Sequence, residues 1–320
     1  MKLVTAFFRL IRWPNLVFIV VTQLLFYYCI VLPITYGVPS FSLFNYHEFY
    51  LILLSLSSVL IAAAGYIIND YFDLSIDRVN KPERLVVEKI IKRRWAIIWH
   101  WLLSLAGIVI SFYLAFKEGE WLIALANTGC VLLLWFYSTT FKKKLLIGNI
   151  IISLLTAWVI LVFFVYLASF PTSVVPGWHT HLFRFDINKL FKLAILYAGF
   201  AFIISLIREV IKDMEDMEGD ARYGCKTMPI VWGVPTSKVF TAVWLIVLIA
   251  ILVIIQFYAL HLHWWWSVAY AVILIIIPLL WILKKLYTAQ VPKDYHHLST
   301  AVKLVMLAGI LSMIFFKIYA

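Results

Sequence analysis

Charged residues are scarce in this 320-residue chain. Asp, Glu, Lys and Arg together make up 13% of it, whereas 64% is hydrophobic and the mean hydropathy is +0.97. Soluble globular domains carry about 25% charged residues, so the composition excludes that class. Cysteine is also rare, and Cys29, Cys130 and Cys225 show no pairing pattern, which predicts free thiols. No stretch rich in Gly, Ser or Pro divides the chain, so we expect one transmembrane domain over residues 1–320.

What the chain has instead is long apolar runs, each able to cross the ~30 Å hydrocarbon core of a bilayer. They predict an all-α, polytopic membrane bundle of nine transmembrane helices, because the strands of a membrane barrel would alternate in polarity over about ten residues. The nine predicted spans are residues 15–36, 49–68, 95–116, 121–140, 146–169, 189–211, 237–258, 264–283 and 302–319.

Basic residues alternate between the two sides of this predicted bundle. Of the 27 Lys and Arg residues, 22 fall in the N-terminal tail and in segments 78–94, 142–144, 208–238 and 284–303. This bias predicts a cytoplasmic N-terminus and a C-terminus on the opposite side. The net charge of +11 then belongs mostly to one membrane face, where it attracts anionic membrane lipids and phosphorylated substrates; nucleic acid is not implied.

Two predicted helices end in the same acidic spacing, and both ends are expected on the cytoplasmic side. On a continuous helix, residues offset by 0, 3 and 7 lie within an arc of roughly 60°, so each triplet would form one acidic face. The parallel placement of the two motifs predicts an internal parallel pseudo-repeat. The first motif is Asp70, Asp73 and Asp77, and the second is Asp213, Asp216 and Asp220.

Clustered carboxylates repel each other, so we expect these acidic faces to bind cations. Asn69 adds an amide oxygen beside the first triplet, and a set of oxygen ligands without His or Cys favours Mg²⁺ over zinc. Two alternatives stay open for the second motif: the helix persists through Asp220, or Gly219 ends it early and Asp220 approaches from a loop. Glu215 and Glu218 are expected to be solvated or paired with basic loop residues, and His296 and His297 to be solvated or interfacial.

The motifs Asn69-Asp-x-x-Asp-x-x-x-Asp77, Asn80-Lys-Pro-Glu-Arg84 and Asp216-x-x-x-Asp220 closely resemble those of the UbiA-type intramembrane prenyltransferase superfamily. The resemblance covers nearly the whole chain. It implies Mg²⁺-dependent transfer of a prenyl group from an allylic prenyl diphosphate to a lipophilic acceptor. All six aspartates are then catalytic metal ligands, and Asn69 is a metal ligand that also binds substrate.

Other positions match the family more loosely and imply substrate binding. Arg12 and Asn15 resemble the Arg and Asn that enter the cavity in family members. Tyr137 and Lys142 resemble the family's basic motif. Arg84 resembles the basic residue with which the family binds phosphate. Alternative interpretations are a helix cap for Asn15 and an ordinary positive-inside residue for Lys142. Pro82 disfavours helix at Lys81 and predicts a turn there. The stretch 85–88 departs from the Pro-rich sequence of many members.

The choice of acceptor is open at this stage. The string from Arg208 to Asp220 is most similar to members that prenylate geranylgeranylglyceryl phosphate, a prenylglycerol phosphate, whereas an aromatic acid is the alternative acceptor. Arg208 and Lys212 would assist an anionic acceptor or the diphosphate. Two other classes of protein remain as alternatives. A cation-coupled transporter also places carboxylates in a helical bundle, and a terpene cyclase also binds allylic diphosphates.

Overall fold

The computed structural model describes residues 2–36, 41–168, 184–185 and 187–319. Its first helices are α1 (Lys2–Leu10), α2 (Trp13–Leu25), α3 (Leu32–Ile34), α4 (Phe41–Phe72), α5 (Leu74–Asn80), α6 (Arg93–Glu118), α7 (Trp121–Thr139) and α8 (Ile147–Ala168). The later helices are α9 (Ile187–Glu215), α10 (Met217–Arg222), α11 (Met228–Val231), α12 (Gly233–His261), α13 (Trp265–Ala271), α14 (Ile277–Thr288), α15 (Pro292–Leu311) and α16 (Ile314–Tyr319).

Short irregular elements complete this helical architecture. Two π-helical turns, Phe26–Val31 and Val272–Ile276, lie inside apolar segments, and two 3₁₀ turns cover Pro82–Arg84 and Phe141–Lys143. The two-residue strands β1 (Thr35–Tyr36) and β2 (Arg184–Phe185) pair antiparallel, with Thr35 opposite Phe185.

Nine helical segments in the described part of the chain are long and apolar enough to span a membrane, which confirms the predicted number. The chain is therefore an integral, multi-pass membrane protein. The last span begins at Pro292, ten residues before the predicted start. The side chain of Asp294 accepts hydrogen bonds from the backbone N–H groups of Gln290 and Val291, at 2.9 and 3.2 Å, and so caps a polar first turn that hydropathy does not detect.

Contacts divide the chain into two compact units, and the division falls directly after α7 and inside α8 and α9. The first unit is Met1–Thr139 with Trp158–Ile195. In it α4 packs along α6 and α7, and the side chains of Leu10, Ile67 and Val87 meet in one buried cluster. A polar network crosses its apolar interior: Asn127 donates to Ser111 at 2.9 Å and accepts from the indole of Trp158 at 3.0 Å.

The second unit is Thr140–Ala157 with Leu196–Ala320. Its buried cluster joins α9, α12, α14 and α15 through residues such as Ile207, Leu248, Leu279 and Val302. Gly309 permits close approach within this unit, since a Cβ atom there would lie 2.5 Å from Cε1 of Phe200. The expectation of one domain stays a prediction.

Candidate active site

The first acidic motif lies where α4 ends and α5 begins. Phe72 closes α4, Leu74 opens α5, and Asp73 between them has φ −83° and ψ −2°. Backbone hydrogen bonds continue across the break, from the N–H of Asp73 to the carbonyl of Asn69 at 2.9 Å and from the N–H of Asp77 to the carbonyl of Asp73 at 2.8 Å. The chain therefore bends at the middle aspartate without losing backbone hydrogen bonds.

The second acidic motif repeats this local geometry inside its own unit. Glu215 closes α9, Met217 opens α10, and Asp216 between them has φ −96° and ψ 9°. The N–H of Asp216 bonds to the carbonyl of Lys212 at 2.9 Å, and the N–H of Asp220 to that of Asp216 at 3.2 Å. Both motifs thus place their middle aspartate at a one-residue helix break, although the wider pseudo-repeat stays a prediction.

These breaks correct one expectation from the sequence, and the course of α10 decides an alternative that the sequence left open. Neither triplet lies on one uninterrupted helix, because each break falls at the middle aspartate, a residue whose short polar side chain competes with helical backbone bonding. Gly219 does not end the second helix. It is buried within α10, which continues to Arg222.

Arg12 is held against the first motif. Its Nη2 lies 2.7 Å from Oδ1 of Asp70, and its guanidinium carbon lies 5.3 Å from the centroid of the Tyr66 ring. The Asp70 carboxylate raises the pKa of Arg12 above its ordinary value, so the guanidinium stays charged. Arg12 has φ 50° just before α2, and its carbonyl accepts the N–H of Asn15 at 2.8 Å. The predicted Arg12 to Asn15 segment is therefore joined to the motif through Asp70.

Asn69 offers an oxygen atom that the protein itself does not use. Its Oδ1 is buried and has no hydrogen-bond partner, while Asp73 and Asp77 are half-buried. Tyr137, at the end of α7 in the same unit, is half-buried as well. An unpaired buried oxygen is costly, so this atom fits a cation or a donor from a ligand.

The segment after the first motif turns as Pro82 predicted. Lys81 leaves the helix with φ −145° and ψ 56°, and Pro82–Arg84 forms a 3₁₀ turn; the side chain of Arg84 lies outside the described residues. Where the sequence departs from the family, Glu88 adopts φ 67° and forms ion pairs with Arg78 and with Arg93.

Asn149 was missed by the sequence interpretation. Its Nδ2 donates to Oδ2 of Asp213 at 2.8 Å, so the first aspartate of the second motif has a donor from α8 just as Asp70 has one from Arg12. Asn149 is 9% exposed, and a buried amide at the start of an otherwise apolar helix was the available signal.

Two basic residues predicted to bind substrate share one carboxylate in the second unit. Arg208 Nη1 lies 3.0 Å from one oxygen of Glu209, and Lys212 Nζ lies 3.3 Å from the other. The Nε of Arg208 is buried and has no hydrogen-bond partner. The pair therefore leaves part of the guanidinium available to an anionic group.

Lys142 lies near the second motif, as its predicted role requires. It sits in the 3₁₀ turn Phe141–Lys143, and the backbone N–H of Lys226 bonds to the carbonyl of Lys143 at 2.8 Å. Burial raises the pKa of the Cys225 thiol; the carboxylates of Asp220 and Asp213 raise it further, whereas Lys142 and Lys143 lower it. The basic turn and the acidic motif thus act on the same thiol.

Glu215 and His296 form a contact that the sequence interpretation did not include. Oε1 of Glu215 accepts a hydrogen bond from Nδ1 of His296 at 2.9 Å, and the Glu215 side chain is only 9% exposed. The side chain of Glu215 is therefore not solvated, and it is hydrogen-bonded to helix α15.

No three His, Cys, Asp or Glu side chains in the described ranges lie close enough together to enclose a metal ion. Mg²⁺ does not need such a cage, since it binds one or two carboxylates and takes its remaining ligands from water and substrate phosphates. The half-buried aspartates and the unpartnered Oδ1 of Asn69 fit that mode of binding.

Residues 30–307 match the UbiA prenyltransferase family. The chain belongs to this family. It is also 30% identical over 268 residues to digeranylgeranylglyceryl phosphate synthase of Methanosphaera stadtmanae, covering 83% of this chain and 87% of that protein. The Sulfurisphaera tokodaii protein of the same name is 30% identical over 230 residues, or 72% of this chain and 74% of that protein.

Solved structures share the fold of this UbiA family member. One, from work on digeranylgeranylglyceryl phosphate synthase in membranes, has a TM-score of 0.58 and 23% identity and covers 98% of this chain and 99% of that chain. A UbiA homolog from Archaeoglobus fulgidus bound to GPP and Mg²⁺ has a TM-score of 0.54 and 16% identity and covers 96% and 99%. The all-α class is confirmed, and the chain is a prenyltransferase.

Alkylation of Cys225 tests the electrostatics around the second motif. In a Cys29→Ala, Cys130→Ala background without divalent metal, we expect iodoacetamide to react more slowly than with an exposed cysteine at the same pH, because less thiolate is present. Lys142→Gln raises the pKa further and slows the reaction by roughly two- to fivefold, the effect of one partly screened charge. Asp220→Asn speeds it by a similar factor.

The exposed Lys144, next in the basic turn, is the matched control, and Lys144→Gln leaves the alkylation rate unchanged. A rate that responds equally to Lys144→Gln and Lys142→Gln would show that the arrangement around Cys225 is wrong. The rates are read by mass spectrometry over a pH series.

Proposed function

We propose that this prenyltransferase uses Mg²⁺ and its two acidic motifs to bind the diphosphate of an allylic prenyl donor. The observation that carries the proposal is the repeated helix break, at Asp73 and at Asp216, in a member of the UbiA family. The name of the Archaeoglobus structure, bound to GPP and Mg²⁺, supports it.

All six aspartates are proposed to bind Mg²⁺, and Asp70 and Asp213 have a second role. Asp70 and Asp213 have protein donors, Arg12 and Asn149, so we assign them a positioning role besides their predicted metal binding. The middle and last aspartates, with Asn69, are the other proposed ligands of Mg²⁺. When bound, the metal stabilises negative charge on the leaving diphosphate. The middle and last aspartates are Asp73, Asp77, Asp216 and Asp220.

The remaining predicted residues supply positive charge and substrate contacts, and the surrounding helices exclude water. Lys142 supplies positive charge for the diphosphate, and Arg12, Asn15, Arg84 and Tyr137 keep their predicted substrate contacts as part of the proposal. Breaking the carbon–oxygen bond releases diphosphate and gives the prenyl carbon cationic character. The acceptor hydroxyl oxygen attacks that carbon to form an ether bond, and the hydroxyl proton passes to the departing diphosphate. Apolar helices around the reacting groups exclude water, which would otherwise capture the cation.

We further propose a prenylglycerol phosphate as the acceptor, geranylgeranylglyceryl phosphate in the first instance. The relatives are named for a glyceryl phosphate product, which favours this acceptor over an aromatic acid. Arg208 and Lys212 lie one helical turn apart and suit a phosphate monoester. The Nε of Arg208 has no hydrogen-bond partner, so the guanidinium and the Lys212 ammonium can both bind oxygens of the phosphate.

The lysine and arginine bias supports a cytoplasmic N-terminus, a cytoplasmic location of both acidic motifs and a C-terminus on the opposite side. Anionic lipids on that face would concentrate around the basic loops, and Mg²⁺ and the donor are available from the cytosol.

Purified protein with a prenyl diphosphate and acceptor should form product only in the presence of Mg²⁺. We expect Asp73→Asn or Asp216→Asn to lower kcat/KM by about a hundredfold or more, the scale of losing a charged transition-state contact. Turnover is measured by mass spectrometry of the lipid product. The exposed acids Glu83 and Glu218 give matched controls, and Glu83→Gln and Glu218→Gln retain activity.

Turnover that survives a chelator would reject the metal mechanism. A hydrocarbon formed from the donor without acceptor would identify a terpene cyclase instead. Solute uptake by proteoliposomes lacking any prenyl donor would identify a transporter.

The phosphate of the acceptor can be tested by removing it. We expect the prenylglycerol phosphate to react, and the corresponding alcohol and aromatic acids to react poorly. Arg208→Gln and Lys212→Gln should each raise KM for the phosphate acceptor about tenfold, the usual scale for a hydrogen bond to a charged group, and leave KM for the donor unchanged. Exposed Arg222 is the control, with Arg222→Gln expected to be silent. Equal turnover of alcohol and phosphate would contradict the assignment.

A further inference from the structure

We propose that Glu215, held by His296 and Ser299 of α15, is a positioning residue that fixes the direction of the Asp216 carboxylate. The inference deepens the proposed function and rests on it, because it matters only if Asp216 binds the metal–diphosphate complex. Glu215 is the last residue of α9 and directly precedes the break.

Both carboxylate oxygens of Glu215 have partners on the same helix. Nδ1 of His296 lies 2.9 Å from Oε1, and Oγ of Ser299 lies 3.4 Å from Oε2. Ser299 is itself within 3.0 Å of the carbonyl of His296. A carboxylate that is 9% exposed needs such donors, since a buried charge without partners is strongly unfavourable.

Helix α15 is a rigid support for this contact. Tyr295, Leu298 and Val302 on it are 3% exposed or less and pack in the core of the second unit. Its first turn is capped by Asp294. His296 and Ser299 therefore extend from a helix that is fixed at its start and along its buried face.

The contact acts directly beside the one-residue break in the helix. Asp216 is the single residue between α9 and α10, and its amide is bonded to the carbonyl of Lys212 at 2.9 Å. With the Glu215 side chain anchored as well, the residue before Asp216 is fixed through both its backbone and its side chain. The direction in which the Asp216 side chain leaves the break is then set by α15.

The helix break of the first motif has the same local geometry, but the residue before it is not a hydrogen-bonded carboxylate. The residue that precedes Asp73 is Phe72, which is 38% exposed and meets the ring of Trp135 edge-on at 5.9 Å. An aromatic edge contact is weaker and less directional than two hydrogen bonds to a carboxylate. The anchor therefore belongs to the second motif and couples it to the last spanning segment.

Substitutions at the anchor should change metal use more than stability. We expect Glu215→Gln and His296→Ala to raise the Mg²⁺ concentration at half-maximal turnover by about tenfold, as loss of a supporting contact behind a metal ligand usually does. KM for the acceptor should stay unchanged. His296→Gln retains a side-chain amide donor and should recover part of the loss. Binding of Mn²⁺ with inorganic diphosphate, followed by electron paramagnetic resonance, gives the same order without turnover.

Neighbouring exposed residues provide the controls: Glu218→Gln removes the same charge, and His297→Ala removes the same ring, and both should match the wild type. Variants that lower only the melting temperature, with unchanged Mg²⁺ and Mn²⁺ curves, would reject the positioning role.

If His296→Ala does not fold, His296→Gln and Ser299→Ala carry the same test. A wild-type protein that shows no Mg²⁺-dependent transfer defeats the proposed function, whereas an active wild type with variants indistinguishable from the controls defeats this inference alone.

Discussion

Carboxylates at the ends of apolar helices need donors or cations, because charge near hydrocarbon is costly when it is unpaired. This protein meets the requirement in parallel ways at its two acidic motifs. Asp70 accepts from Arg12 and Asp213 accepts from Asn149, each a residue from another helical segment of the same unit. The two donors differ in charge, because Arg12 is a cation and the side chain of Asn149 is a neutral amide. The second motif has its basic residues nearby instead, among them Lys142 and Lys212.

The shared helix break follows from the same chemistry. An aspartate inside a helix competes with backbone bonding, yet both breaks retain their hydrogen bonds from residue i to residue i − 4. The bend turns the following residues relative to the preceding helix and leaves the middle aspartate at the corner. This chain therefore contains the same corner twice, with a different contact before each copy: an aromatic edge before Asp73 and the hydrogen-bonded Glu215 carboxylate before Asp216.

The sequence predicted those features of the fold that depend on neighbouring residues. Nine spans, the all-α class and the turn at Pro82 followed from hydropathy and from proline chemistry, and the family followed from two spaced motifs. It did not predict the early start of the last span, where Asp294 caps a polar turn, or the positions of the breaks. Asn149 and His296 were missed because their partners lie 64 and 81 residues away, and no local periodicity encodes such contacts.

We propose that both motifs bind one and the same diphosphate. Calorimetric titration with a non-reacting prenyl thiodiphosphate, in the presence of Mg²⁺, distinguishes one shared site from two separate ones. We expect one donor bound per chain, with affinity lowered at least about tenfold by Asp73→Asn and likewise by Asp216→Asn. Two donors per chain with each substitution removing one, or an unchanged affinity in either variant, would contradict it.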